Sequence, residues 1–141
     1  MGLRNFSGVA YLIDYGLSSY FKDDTGKHIP METSGSLIGT ATFASPYSHL
    51  GYELSRRDDL ISLGYMVYFL YNGSLPWNGL QDPQSARCKA VAKNKAEFTR
   101  SIEARLAPQE FKVYLEYCLE LGFEEKPDYR WLLGLIEGLA R

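Results

Sequence analysis

The sequence predicts a mainly α-helical domain, in which a short strand hairpin and a long loop precede a helical bundle around one buried central helix. Three observations carry this. The segment Leu60 to Tyr71 is apolar on nearly every face, with only Ser62 and Gly64 as exceptions, which is the pattern of a helix enclosed on all sides. Three later stretches open on helix-starting signals and continue with apolar stripes at helical spacing. From Asp14 to about Pro46, 33 residues show no convincing period, so this stretch reads as a loop.

In chain order, Gly8-Val9-Ala10-Tyr11-Leu12-Ile13 reads as a short buried strand, because β-branched and aromatic residues follow the turn-like Asn5-Phe6-Ser7-Gly8. Asp14-Tyr15-Gly16 ends it. Irregular stretches as long as the one that follows are functional or disordered. The recurring Tyr20, Phe21, Ile29 and Met31 favour an ordered functional loop, and Thr33-Ser34-Gly35-Ser36 is its polar punctuation. Ser55 reads as the N-cap of the central helix, with Asp58 and Asp59 in the first turn, where the helix dipole favours anions. Asn72-Gly73 closes that helix. Asp82-Pro83 starts a helix running to about Thr99. Pro108 starts another, with Phe111, Leu115, Cys118 and Leu119 on one stripe. Pro127 starts the last, with Leu132, Leu135, Ile136 and Leu139 facing inward.

Composition narrows the function classes. The 141 residues carry 15 Lys and Arg against 17 Asp and Glu, a net charge of −2, which excludes a strongly basic nonspecific nucleic-acid binder. An apolar content of 45%, with 14% aromatic residues, supports a folded core and argues against disorder. Cys88 and Cys118 lie in no motif and read as reduced thiols of an intracellular protein in the cytoplasm or nucleus. The longest apolar run, Leu63 to Tyr71, is far short of the roughly 20 residues of a membrane span. Neither a nucleic-acid partner nor a membrane is expected.

The chemistry-bearing residues are few. Asp14 ends a buried strand and precedes an aromatic and a glycine, which can place a carboxylate in a cleft as an oxygen ligand for a hard cation such as Mg²⁺. A strand-ending turn explains the same tripeptide equally simply. Twenty-five residues after Asp14 stands Gly39-Thr40-Ala41-Thr42. Adjacent helical residues point roughly 100° apart, so Asp58 and Asp59 cannot both face one site. The expectation is a solvated face for Arg56, Arg57 and Asp58, with Asp59 turned inward towards partners.

In this order the segments resemble the C-terminal lobe of a eukaryotic-type protein kinase of the casein kinase I group, with some features of the vaccinia-related kinases. The matching stretches are Tyr11-Leu-Ile-Asp-Tyr-Gly-Leu, Lys27-His-Ile-Pro, Gly39-Thr-Ala, His49-Leu-Gly, Ser55-Arg-Arg-Asp-Asp-Leu, Ser62-Leu-Gly-Tyr, Gly73-Ser-Leu-Pro-Trp-Asn-Gly-Leu and Glu125-Lys-Pro-Asp-Tyr. Leu80-Gln81-Asp82-Pro83 adds the vaccinia-related likeness. The resemblance implies one partial kinase domain over residues 1–141, a C-lobe from just after the catalytic loop. By it, Asp14 is the Mg²⁺-binding aspartate of the D-F-G motif and Ile13 lines the nucleotide pocket. Residues 17 to about 46 form the activation segment, and Thr40 is the threonine that hydrogen-bonds near the catalytic aspartate. Asp59 holds the catalytic-loop backbone, and Met66 and Leu70 anchor an apolar column below the adenine.

The sequence contains no G-x-G-x-x-G loop, no strand lysine and no H-R-D-x-x-x-x-N loop, which leaves one metal ligand and no base. Met1-Gly2-Leu3 resembles the strand that follows the catalytic loop, so the resemblance implies an internal methionine of a longer kinase that uses ATP and Mg²⁺. Thr42 stands where the group carries Arg, and Ser34-Gly35-Ser36 carries no Lys. Both departures weaken the expectation of phosphate-primed substrates and leave Arg87 and Lys89 as the candidate phosphate contacts. The resemblance implies protein substrates or kinase partners, and the expected function is that of a serine/threonine kinase in the full-length parent, with this chain inactive alone. The rival expectation is a stand-alone module that engages kinase substrates or partners without catalysis.

Overall fold

A computed structural model of the chain describes residues 8–33, 35–78, 85–101 and 108–139. Its architecture is mainly helical. Among the described residues there are five α-helices: α1, Pro46–His49; α2, Arg56–Asn72; α3, Ser85–Ser101; α4, Gln109–Glu120; and α5, Tyr129–Leu139. Helix α2 packs on α4, α4 on both α3 and α5, and α1 on α3. The last two helices begin close to the predicted prolines. The predicted Asp82-Pro83 start of α3 lies outside the described residues.

Helix α2 starts and ends as its sequence demands. Ser55 is its N-cap, and the Asp58 carboxylate reaches back to the Ser55 N–H at 2.9 Å. Gly73 closes it at φ 76°, a left-handed conformation that glycine adopts without a Cβ penalty. Its contact with α4 turns on Gly64. A Cβ there would lie 2.5 Å from Leu115 Cδ2 and 2.8 Å from Tyr114 Cε1, so only glycine lets the helices approach this closely. The Tyr114 hydroxyl then donates to the Leu60 carbonyl at 3.0 Å.

The core is aromatic. Trp77 stands edge-on to Tyr65, with ring centroids 4.9 Å apart, and to Phe98 at 5.3 Å. Tyr68 does the same with Phe98 and Phe111. Leu115, Cys118 and Leu132 complete the buried set, and Leu135, Ile136 and Leu139 pack against it. Cys118 is a free buried thiol, and burial pushes its pKa up to about 12, which keeps it protonated. The side chain of Cys88 lies outside the described residues.

Two expectations are corrected. The strand predicted over residues 8–13 is irregular and exposed to solvent. A strand needs a neighbour to take its N–H and C=O groups, and no described segment pairs with this one. Nor is α2 buried on all sides. Ile61, Gly64, Tyr65 and Tyr68 are enclosed, whereas Leu63, Met66, Leu70 and Tyr71 are exposed.

The loop, by contrast, makes contacts of its own through Phe21 and His28, whereas Tyr20 and Met31, which the sequence also marked, are exposed. The Asp23 carboxylate accepts from the N–H groups of Thr25 and Lys27, closing a turn at Gly26, and Lys22 bridges His28 antiparallel. The Phe21 and His28 rings meet at a tilt, centroids 5.7 Å apart, and His28 packs edge-on against Phe123 at 4.9 Å. The Arg56 guanidinium lies 4.5 Å from the Phe21 ring centroid and donates to the Glu124 carbonyl, which pins the loop to the start of α2.

Candidate functional site

A cleft of about 690 Å³ opens between the loop and the first turn of α2. Asp14, Thr40 and Asp59, far apart in sequence, all line it. Asp14 sits at φ 63°, the only positive φ of a non-glycine residue among those described, and leads into a single 3-10 turn, Tyr15–Leu17. Its carboxylate accepts only a long 3.4 Å contact from the Gly16 N–H, so its oxygens remain open to the cleft. Thr40 is exposed, and its carbonyl anchors a tight turn by accepting from the N–H groups of Phe43 and Ala44. Ile13, expected to line a nucleotide pocket, is not among the cleft-lining residues and is 81% exposed.

The two adjacent aspartates of α2 exchange the places expected of them. Asp58 is buried, and Asp59 is exposed towards the cleft. The cap decides this. As the third residue of the helix, Asp58 must turn back towards Ser55, and that turn places its other oxygen 2.5 Å from the Ser45 hydroxyl. Asp59, 100° further round, then faces out. Burial raises the Asp58 pKa, opposed by the Ser45 hydroxyl, the Ser55 N–H and the nearby Arg57 charge. Asp59 opens to solvent only within a recess, and its pKa is raised by partial loss of water and by the Asp58 charge. Arg57, expected on a solvated face, is buried. Its guanidinium lies 3.6 Å from the Tyr47 ring centroid and donates to the Leu121 carbonyl at 3.0 Å. The Ser55-x-x-Asp58 spacing is the sequence signal that identifies the inward aspartate.

The cleft wall after Thr40 is held from behind. Lys95 on α3 is fully buried, and its ammonium donates to the carbonyls of Ala41 at 2.8 Å, Thr42 at 3.2 Å and Ala44 at 2.6 Å. The rings of Trp77 and Tyr65 lie 5.0 and 5.3 Å from the same nitrogen, and the Trp77 indole N–H donates to the Thr42 carbonyl. Burial pulls the Lys95 pKa down to about 7. In the sequence Lys95 sits in a lysine-rich run that reads as solvated. The signal that singles it out is its place four residues after Val91 and four before Thr99, both buried. The side chain of Arg87 lies outside the described residues, and Lys89 is exposed.

Among the described residues no three His, Cys, Asp or Glu side chains gather into a metal cage. A single open carboxylate is nevertheless a fit for Mg²⁺, which keeps most of its water and binds through one or two carboxylates together with phosphate. No described helix is long and apolar enough to cross a membrane. No protein-family model matches the chain.

Proposed function

We propose that this chain is the C-lobe portion of a casein kinase I-like serine/threonine protein kinase whose full-length parent transfers the ATP γ-phosphate to protein hydroxyls inside the cell. One observation carries the reading. Asp14, Thr40 and Asp59 hold kinase roles only by the order of sequence motifs, yet they converge on one cleft. Asp14 would hold the Mg²⁺ ion, which supplies charge neutralisation to the transferring phosphate. Thr40 and the turn behind it would form the wall against which a substrate hydroxyl is placed, and Asp59 would receive backbone N–H groups at the cleft floor. The chain by itself lacks a base and a phosphate-cradling loop, so it is expected to be inactive.

The test is to read the message upstream of the Met1 codon and to assay the protein it encodes. An open frame running back through an H-R-D-type loop, with casein phosphorylation falling at least a hundredfold in Asp14→Asn, supports the reading. An in-frame stop just before Met1 would overturn it. The second reading is a non-catalytic module that engages kinase substrates or partners. The exposed apolar residues Leu12, Ile13, Leu63, Met66 and Leu70 favour it, because such surface seeks a partner.

A further inference from the structure

Two buried bases converge on one backbone oxygen. The Ala41 carbonyl accepts from Lys95 Nζ at 2.8 Å and faces His49 Nε2 at 3.2 Å, so the two nitrogens lie within about 6 Å of each other. His49, on α1, is 7% exposed and Lys95 is fully buried. The contact makes Nε2 the protonated nitrogen of a neutral imidazole. Nδ1 is buried without a hydrogen-bond partner, so a proton added there would be a donor with no acceptor. Three ammonium hydrogens meet three carbonyls, and this seats a single positive charge fully.

Among the described residues, nothing in the surroundings balances a second charge. From α2 the Tyr65 phenol faces Lys95, with its pKa pushed above the ordinary value, and it stays neutral. The segment after α2 contributes the uncharged indole of Trp77. On α3 itself, Lys93 and Glu97 pair with each other in solvent. Asp58 is tied to Ser45 and Ser55, and among the described residues no carboxylate forms an ion pair with either base.

We propose that Lys95 and His49 form an acid-sensitive latch on the 41–44 segment: one positive charge seats the segment against α3, and a second proton, on His49, drives it off and opens that wall of the cleft. The direction follows from linkage. Burial and the Lys95 charge hold the His49 pKa down to about 4 in the seated state, against 6.5 when the ring is free in water, so the released state binds the proton more tightly and acid favours release. Lys95 titrates at higher pH, with a pKa of about 7 in its buried seat and 10.5 in water, so it stays charged through the acid range and His49 alone supplies the response. Thr40, Phe43, Ala44 and Ser45 all line the cleft, so release would dismantle one of its sides.

Amide hydrogen exchange followed by NMR tests this on the chain itself. The reporters are the Phe43 and Ala44 amides, which donate to the Thr40 carbonyl. Between about pH 6.5 and 4.5, after correction for intrinsic exchange, their protection should fall by roughly tenfold or more and should lie below that of the α4 amides at every pH. In His49→Gln, which stays neutral and can still donate to Ala41, the fall should shrink to about twofold or less. Protection that stays flat in the natural chain would overturn the latch. So would protection equal to that of the α4 amides at every pH, which would mean that the segment opens only when the whole fold does, or a fall undiminished in His49→Gln. Should His49→Gln not fold, the His49 ring titration in the natural chain decides: a midpoint matching the exchange loss supports the latch, and a separated midpoint overturns it.

Discussion

The two faces of α2 are close to equal in sequence and opposite in structure. The face towards α4 buries Ile61, Tyr65 and Tyr68 around a glycine contact. The other face carries Asp59, Leu63, Met66 and Leu70 at helical spacing and leaves them exposed, with Asp59 at the edge of the cleft. An apolar side chain stabilises the fold only where other atoms exclude water from it. Composition alone therefore says little about which face carries the stability.

That contrast can be broken experimentally. The largest effect is expected from Leu115→Ala, which opens a hole against Gly64 in a site with no solvent exposure. Urea unfolding should show a loss of about 3 kcal/mol. A comparable effect is expected from acid, on the loop side of α2. In the unfolded chain His49 is protonated near pH 6.5, whereas in the fold it resists until about pH 4. Stability from this group is therefore complete above pH 6.5 and is lost as the pH falls towards 4, by up to about 3 kcal/mol. His49→Gln should flatten that slope in urea titrations at a series of pH values. Next comes Gly64→Ala, whose added methyl meets Leu115 and Tyr114, with an expected cost of about 1–3 kcal/mol. The smallest is Leu70→Ala, 74% exposed, which should stay within about 0.5 kcal/mol of the natural chain. A Leu70→Ala loss equal to that of Leu115→Ala would mean that both faces are covered in solution, and the contrast would fall.

Much of the bundle was legible in the residues. Ser55 and Gly73 bound α2, Pro108 and Pro127 stand just ahead of α4 and α5, and the inner stripes Phe111–Leu115–Cys118 and Leu132–Leu135–Ile136 hold, because caps and period are local properties. Tyr114 carries no such signal, because a phenol reads as half-polar until a carbonyl such as that of Leu60 takes its hydrogen. At the cleft, Asp14 and Thr40 were singled out by motif, and both line it. The places expected of Asp58 and Asp59 are reversed in the structure, since a count of degrees around a helix gives their separation and not their direction.

Local chemistry, then, determines where helices begin and end and which stripe is apolar, because hydrogen-bonding at a cap and 3.6-residue periodicity need only near neighbours. The tertiary structure decides the rest. It leaves residues 8–13 without a partner strand among the described residues, exposes half of α2, and draws a lysine from a solvated-looking run into a seat of three carbonyls. Each of these depends on what another segment brings to the same place: a strand needs a partner's hydrogen bonds, an apolar face needs a cover, and a buried charge needs acceptors. None of the three is written in the neighbouring residues of the chain.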